Sequence, residues 1–326
     1  MKKLTGLILL ICGISAMTRA QTRINIAFFY TPAVAVALGL NQMNGIINTE
    51  VGNIDSAFRN SNIDGLVVNS CSMGIELQEA GCLQILLDSA VISVNGPFRQ
   101  LKELRKLTAA DVVVIIANYP GQGGVSGNFG DFNQAYIVVD YRCLGANYSV
   151  ARELGYLMGC GNHESQSGRF NDAAPSARGY IYVDEDNADN NFNTIMAYTD
   201  EQPSYDQPDF KMAPCWSNPD GRVNGLATGD AAHNNAAQIN SYLPEIALYS
   251  TYYGMLYEQN LVLPAWSFQK LGSKRRLVME QVVIEKDSQT EIDAKFIRLQ
   301  RNFDVKKGAT VRFDSQPIEI DNPQVP

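Results

Sequence analysis

The sequence predicts an α/β domain, a sheet covered by helices on both sides, followed by a small all-β unit. Three observations carry this. Short apolar runs alternate with longer amphipathic stretches from residue 24 onward. Residues 111–117, Asp-Val-Val-Val-Ile-Ile-Ala, form a continuous apolar run of the kind a strand shows when both its faces are buried. From about Leu277 the period drops to two, with Phe303 and Val305, then Ala309, Val311 and Phe313, set around a Lys307-Gly308 turn.

In chain order, residues 24–30 read as a first strand stopped by Thr31-Pro32. Residues 33–60 read as helical, with breaks at Gly39 and Gly45. Residues 65–69 are a second strand, 101–107 a helix of alternating charge, and 136–139 a strand. Val150, Leu154, Leu157 and Met158 fall at i, i+4, i+7 and i+8, one apolar stripe of a helix ended by Gly159. Gly121 to Gly124 reads as a flexible cleft loop, since it lacks the Lys-Ser/Thr of a phosphate-binding loop. A last helix is expected over residues 230–243, capped by Thr228 or Asp230. The division expected is residues 1–20 as a signal peptide, 21–250 as the large domain, 251–268 as a linker and 269–326 as the small β-rich domain.

Lys2 and Lys3, an apolar run over residues 7–14 and small residues up to Ala20 have the form of a cleavable export signal. No later run approaches membrane-spanning length. The formal charge is −8; without the signal's three cations it is −11, and residues 21–268 hold −13 while 269–312 carry +5. An acidic body argues against nucleic acid as its partner. Outside the signal there are five cysteines; Cys71 and Cys82 bracket one short loop and are the favoured disulfide, with buried unpaired cysteines as the alternative.

The segment from Ser149 to His163 has the outline of H-E-x-x-H-x-x-G-x-x-H, in which three histidines hold zinc and the glutamate activates water. The ligand positions read Arg152, Tyr156 and Asn162, while Glu153, Gly155 and Gly159 match. Together with Phe29-Tyr30-Thr31-Pro32-Ala33, residues 110–114, Thr194-Ile195-Met196-Ala197-Tyr198, and Ser217-Asn218-Pro219 ahead of Thr228-Gly229-Asp230, this resembles a secreted bacterial reprolysin-like metzincin metallopeptidase. The resemblance spans residues 24 to about 248 and implies a mixed twisted sheet, an active-site helix along the floor of a substrate cleft, and a Met-turn at Met196 beneath it. It implies Glu153 at the position of the general base, a vestigial role without the metal, and Tyr198 as an oxyanion-stabilising tyrosine. Residues 282–313 loosely resemble short β-modules appended to exported proteins of gliding-type bacteria.

Arginine has no lone pair to give a metal, tyrosine ligates only as phenolate and asparagine is a poor zinc donor. The chain holds two histidines, His163 and His233, too few for a three-histidine site. His163 stands one position late for the third ligand; His233 reads as a surface or cap residue, and Asp184, Asp186 and Asp189 as a solvated turn rather than a calcium loop. Arg152 is expected beside the vacated metal position, paired with Glu153 or Glu164.

The expectation is therefore an exported pseudoprotease that binds a peptide or protein in its cleft, with no cofactor. One alternative is an active zinc metalloendopeptidase with an atypical metal site. Another is an envelope or matrix protein whose β-unit does the essential work. Oligomeric state is left open.

Overall fold

The structure, a computed structural model, describes residues 21–79, 81–93, 95–145, 148–166, 174–197, 210–250, 256–259, 262–263, 268–314 and 318–320. The expected export signal and Tyr198 lie outside the described residues.

The first strand, β1 (Thr22–Tyr30), ends at Thr31, whose hydroxyl accepts from Val34 N and caps α1 (Pro32–Leu38), with Pro32 in the first turn where its missing N–H costs nothing. Gly39, at φ 71°, separates α1 from α2 (Leu40–Asn60). The break expected at Gly45 does not occur, because α2 buries Met43, Ile47, Ile54 and Phe58 and this packing outweighs the cost of one glycine. Next come β2 (Gly65–Gly74), α3 (Leu83–Ile92), α4 (Gly96–Leu107), β3 (Val112–Ala117), β4 (Gly124–Ser126), β5 (Tyr136–Asp140) and α5 (Ser149–Leu157).

These strands make one mixed sheet in the order β2-β1-β3-β5-β4, parallel throughout except for the antiparallel edge strand β4. Alternation along each strand divides the core in two. Ile24, Ile26, Phe28, Val114 and Val139 face α2, α5 and the later helix α6 (Asn235–Ile246), while Ala27, Phe29, Val113, Ile115 and Val138 face α3 and α4. All of β3 is buried, as its continuous apolar run predicts. Residues 110–114 lead into β3, a central strand, while the edge strand β4 starts within the segment read as a flexible cleft loop.

Beyond α5 the chain forms short strands, β6 (Ile181–Tyr182), β7 (Phe192–Asn193) and β8 (Lys211–Met212) in one sheet, and the hairpin β9 (Arg222–Val223) with β10 (Leu226–Ala227). Helix α6 starts later than expected, because Asn234 rather than Thr228 or Asp230 caps it by accepting from Ala237 N.

The C-terminal unit is all β, but its strands stack in parallel. They are β11 (Leu256–Gln259), β12 (Val262–Leu263), β13 (Phe268–Glu280), β14 (Val283–Ile284), β15 (Gln289–Leu299), β16 (Asp304–Val305), β17 (Thr310–Asp314) and β18 (Ile318–Ile320). Val262 pairs with Val283 and Val283 with Asp304; Phe268 pairs with Gln289 and Gln289 with Thr310. Each of these steps is 21 residues, shortening to 20 past the register shift between Ser273 and Arg276, so the chain winds as successive rungs of a β-coil. The winding begins at Leu256, inside the segment expected as a linker. Its inward residues Leu263, Met279, Ile284, Ile292 and Ile297 share one apolar cluster with Ala27, Phe29 and the helices on that face of the sheet. No helix among the described residues is long and apolar enough to cross a membrane.

Candidate functional site

The site centres on α5. Tyr148, in the left-handed region at φ 52°, turns the chain into the helix, and Gly159, at φ 87°, turns it out while its N–H bonds to Tyr156 O. The helix is nearly engulfed: of its nine residues only Tyr156 is more than marginally exposed. Its floor is tight at Gly155, where a Cβ would stand 2.6 Å from Met196 Sδ and 3.0 Å from Trp216 Nε1. Met196, in the 3-10 turn Ile195–Ala197, thus lies directly against the helix that carries Arg152 and Tyr156. A second close approach holds that turn in place, since a Cβ on Gly179 would be 2.4 Å from Ala197 N.

Glu153 points at the edge strand. Its Cγ would lie 2.9 Å from a Cβ on Gly124, and its Oε2 accepts from Ser126 Oγ at 2.7 Å. Arg152 Nε stands 3.8 Å from Glu153 Oε1, with both side chains buried, so the expected partnership with Glu153 is present as a long ion pair. The alternative expected partner, Glu164, is engaged elsewhere. Tyr156 donates its hydroxyl to Asn162 Oδ1, so two of the three ligand positions are tied to each other. This donor set does not fit zinc: a guanidinium is a fixed cation, and the phenol and amide satisfy one another.

His163 joins a different group. Its ring stacks on His233 with centroids 5.2 Å apart and planes 7° from parallel, and Glu164 lies between their nitrogens, 3.0 Å from His233 Nε2 and 3.8 Å from His163 Nε2. Arg178 Nη1 is 3.6 Å from the same carboxylate. Burial pushes the His163 imidazole down from its ordinary value, ahead of the opposing pull of Glu164. His233, expected on the surface or as a cap, is instead buried in the turn before α6. Sequence reasoning missed this pairing, although one signal was available: these are the chain's two histidines, and they meet across 70 positions.

The acidic loop behaves as a solvated turn. Asp184 Oδ1 accepts from the N–H groups of Asp186 and Asn187, and the Asn190 amide on its Oδ2 leads the effects that depress its carboxyl. Cys71 and Cys82 are free thiols: Cys71 is buried on β2, where it pairs in register with Ala27, and Cys82 precedes α3, so the favoured disulfide is not made in this structure. Beside β4 lies a cavity of about 360 Å³ whose lining includes Leu87, Ile92, Ser126 and Asn128.

In a mixed α/β domain, a buried helix thus rests on Met196 with its Glu153 carboxylate aimed at an edge strand. The chain is similar in sequence to known peptidases. Peptidyl-Asp metalloendopeptidases of two Stenotrophomonas maltophilia strains, K279a and R551-3, are 27% identical over 230 residues and 26% over 229. One from Xanthomonas campestris pv. campestris is 26% identical over 230 residues. In each case the match takes in 69% of this chain and 52% of the relative, so the chain spans about half the length of the curated relatives it matches. These distant relatives support a metallopeptidase-like protein. A chain in a solved structure described as a chaperone-substrate complex superposes with a TM-score of 0.56 at 16% identity, covering 71% of this chain and 35% of that one, which shows likeness of fold alone. No family profile matches the chain.

Proposed function

We propose that the chain is an exported metzincin-like pseudoprotease that binds a peptide or protein along its cleft and does not hydrolyse it. The observation that carries this is the set of groups at the three ligand positions, Arg152 beside Glu153 and Tyr156 bonded to Asn162. A zinc peptidase needs neutral lone pairs there to acidify water for the glutamate. Glu153 instead receives a hydrogen bond from Ser126 and faces a cation, which makes it a link between helix and edge strand.

The ligand side of the reading rests on the cavity beside β4, whose lining of Leu87, Ile92, Ser126 and Asn128 offers apolar and hydrogen-bonding groups to the side chains of a bound peptide. The relatives' name makes aspartate-containing peptides the first ligands to try.

The test is incubation of the purified chain with casein and with an aspartate-containing peptide library, alongside Glu153→Gln. No cleavage by either, with saturable peptide binding to both, is the expected result. Cleavage that disappears in Glu153→Gln would overturn the proposal.

A further inference from the structure

His163, Glu164 and His233 form a separate cluster whose ligand-capable atoms all lie within 4.8 Å of one another, and among the described residues it is the group of His, Cys, Asp and Glu side chains so gathered. We infer that this cluster is a binding site for one divalent ion of the zinc class, displaced from the family's ligand positions and joining the loop after α5 to the turn before α6.

Each imidazole is fixed from its far side. His233 Nδ1 lies 2.7 Å from Asp230 Oδ1, a carboxylate that also accepts the backbone N–H groups of Ala232 and His233. His163 Nδ1 accepts the Ser165 backbone N–H at 3.1 Å and lies 2.7 Å from Ser165 Oγ, so its neutral ring carries the proton on Nε2; ligation through Nε2 moves that proton to Nδ1, which then donates to Ser165 Oγ in place of accepting from Ser165 N. A carboxylate behind a histidine is the arrangement that orients imidazoles at metal centres, because it takes the Nδ1 proton and leaves the Nε2 lone pair outward. His233 Nε2 then faces both Glu164 oxygens, at 3.0 and 3.2 Å. A lone pair opposite a carboxylate at that distance requires a cation between them, either a second proton on the ring or a metal ion.

The chemistry matches the ion class. Two imidazoles and one carboxylate suit zinc and its neighbours, with water completing the shell. Metal–ligand bonds of about 2.0–2.2 Å place ligand atoms roughly 3–3.6 Å apart. The Glu164 contacts to His233 already meet this, and His163 reaches it by tilting its ring out of the parallel stack. Glu164 is half exposed, which opens the site to solvent on one side. Among the described residues Arg178 is the cation paired there; it opposes a metal, and two carboxylates, Glu164 and Asp230, offset it.

The test uses the full chain, stripped with a chelator and titrated with Zn²⁺ in a calorimeter, with Co²⁺ as a spectroscopic probe. The expected result is one ion per chain, a melting temperature that rises with added Zn²⁺, and visible Co²⁺ bands showing nitrogen and oxygen donors. His163→Gln and His233→Ala should each weaken Zn²⁺ binding at least about tenfold, the equivalent of losing roughly 1.4 kcal/mol. Tyr156→Phe and Glu153→Gln should leave it unchanged. His163→Gln, in a partly exposed loop, keeps the test decisive if His233→Ala fails to fold. Absence of Zn²⁺ uptake, or uptake indifferent to His163, overturns this inference and leaves the pseudoprotease reading standing. Uptake that depends on Tyr156 and Asn162 overturns both.

Discussion

Glu50 is fully buried on α2, with Oε1 accepting from Gly145 N and, among the described residues, no hydrogen-bond partner for Oε2. Burial pushes its carboxyl from the ordinary 4.5 up to about 7, against the smaller downward pull of the Gly145 N–H. The folded chain therefore retains a proton on Glu50 that the unfolded chain has already released. Between pH 4.5 and about 7 the native state binds more protons, so stability falls as pH rises through that window and the full cost is in place above it. A shift of that size corresponds to about 3 kcal/mol.

Glu50→Gln removes the charge while keeping an oxygen to accept from Gly145 N. Urea unfolding should show the variant within error of the parent at about pH 4 and more stable by about 3 kcal/mol at about pH 8. Equal stabilities at the higher pH would refute the reasoning, since they would mean that the ionised carboxylate is accommodated without cost. The position matters for the site: Glu50 and Asn53 both bond to the backbone of Gly145, just ahead of the turn that starts α5.

Arg152→Ala should cost about 2 kcal/mol by leaving the buried Glu153 without its cation; an unchanged denaturant midpoint would mean the pair contributes nothing. Gly155→Ala should cost roughly 1–3 kcal/mol through overlap with Met196, and Met196→Ala in the same chain should recover part of it. A double mutant no better than Gly155→Ala would show that the helix does not rest on Met196. Tyr156→Phe should cost about 1 kcal/mol by stripping Asn162 of its donor, read by thermal unfolding.

Much of the sheet was legible because its strands are buried on both faces, and burial writes itself as uninterrupted Val and Ile, as in β3. Helix α5 was legible from its stripe and its glycine stop. Strand β4 was not: Val125 stands alone between Gly124 and Ser126, too short a run to read as a strand, and the strand exists because β5 offers it an edge. Helix α3 was missed because Leu83, Ile85, Leu86 and Leu87 blur any 3.6-residue period. At the site, Arg152 and Glu153 could be placed from sequence since neighbours on one helix stay together. The meeting of His163 with His233 depends on a tertiary path that no local pattern encodes.

The β-coil shows the same limit from the other side. A 21-residue repeat leaves a readable pattern only where successive rungs demand the same side chain, and here few positions do. Leu263 and Ile284 repeat inward into the shared core, yet Val283 is followed by Asp304 and Phe268 by Gln289 and Thr310. Parallel stacking is enforced by backbone hydrogen bonds, which are indifferent to side chain, and by a narrow inward stripe that alternation alone renders as ordinary hairpin strands. The stripe's destination explains its survival. Met279, Ile292 and Ile297 are buried together with Phe29 and Ile115 of the sheet, so the coil closes the face of the domain opposite α5. Deleting residues 256–326 would bare that face; the large domain should then lose stability and self-associate in gel filtration, and a monomeric fragment of unchanged melting temperature would show that the two parts stand alone.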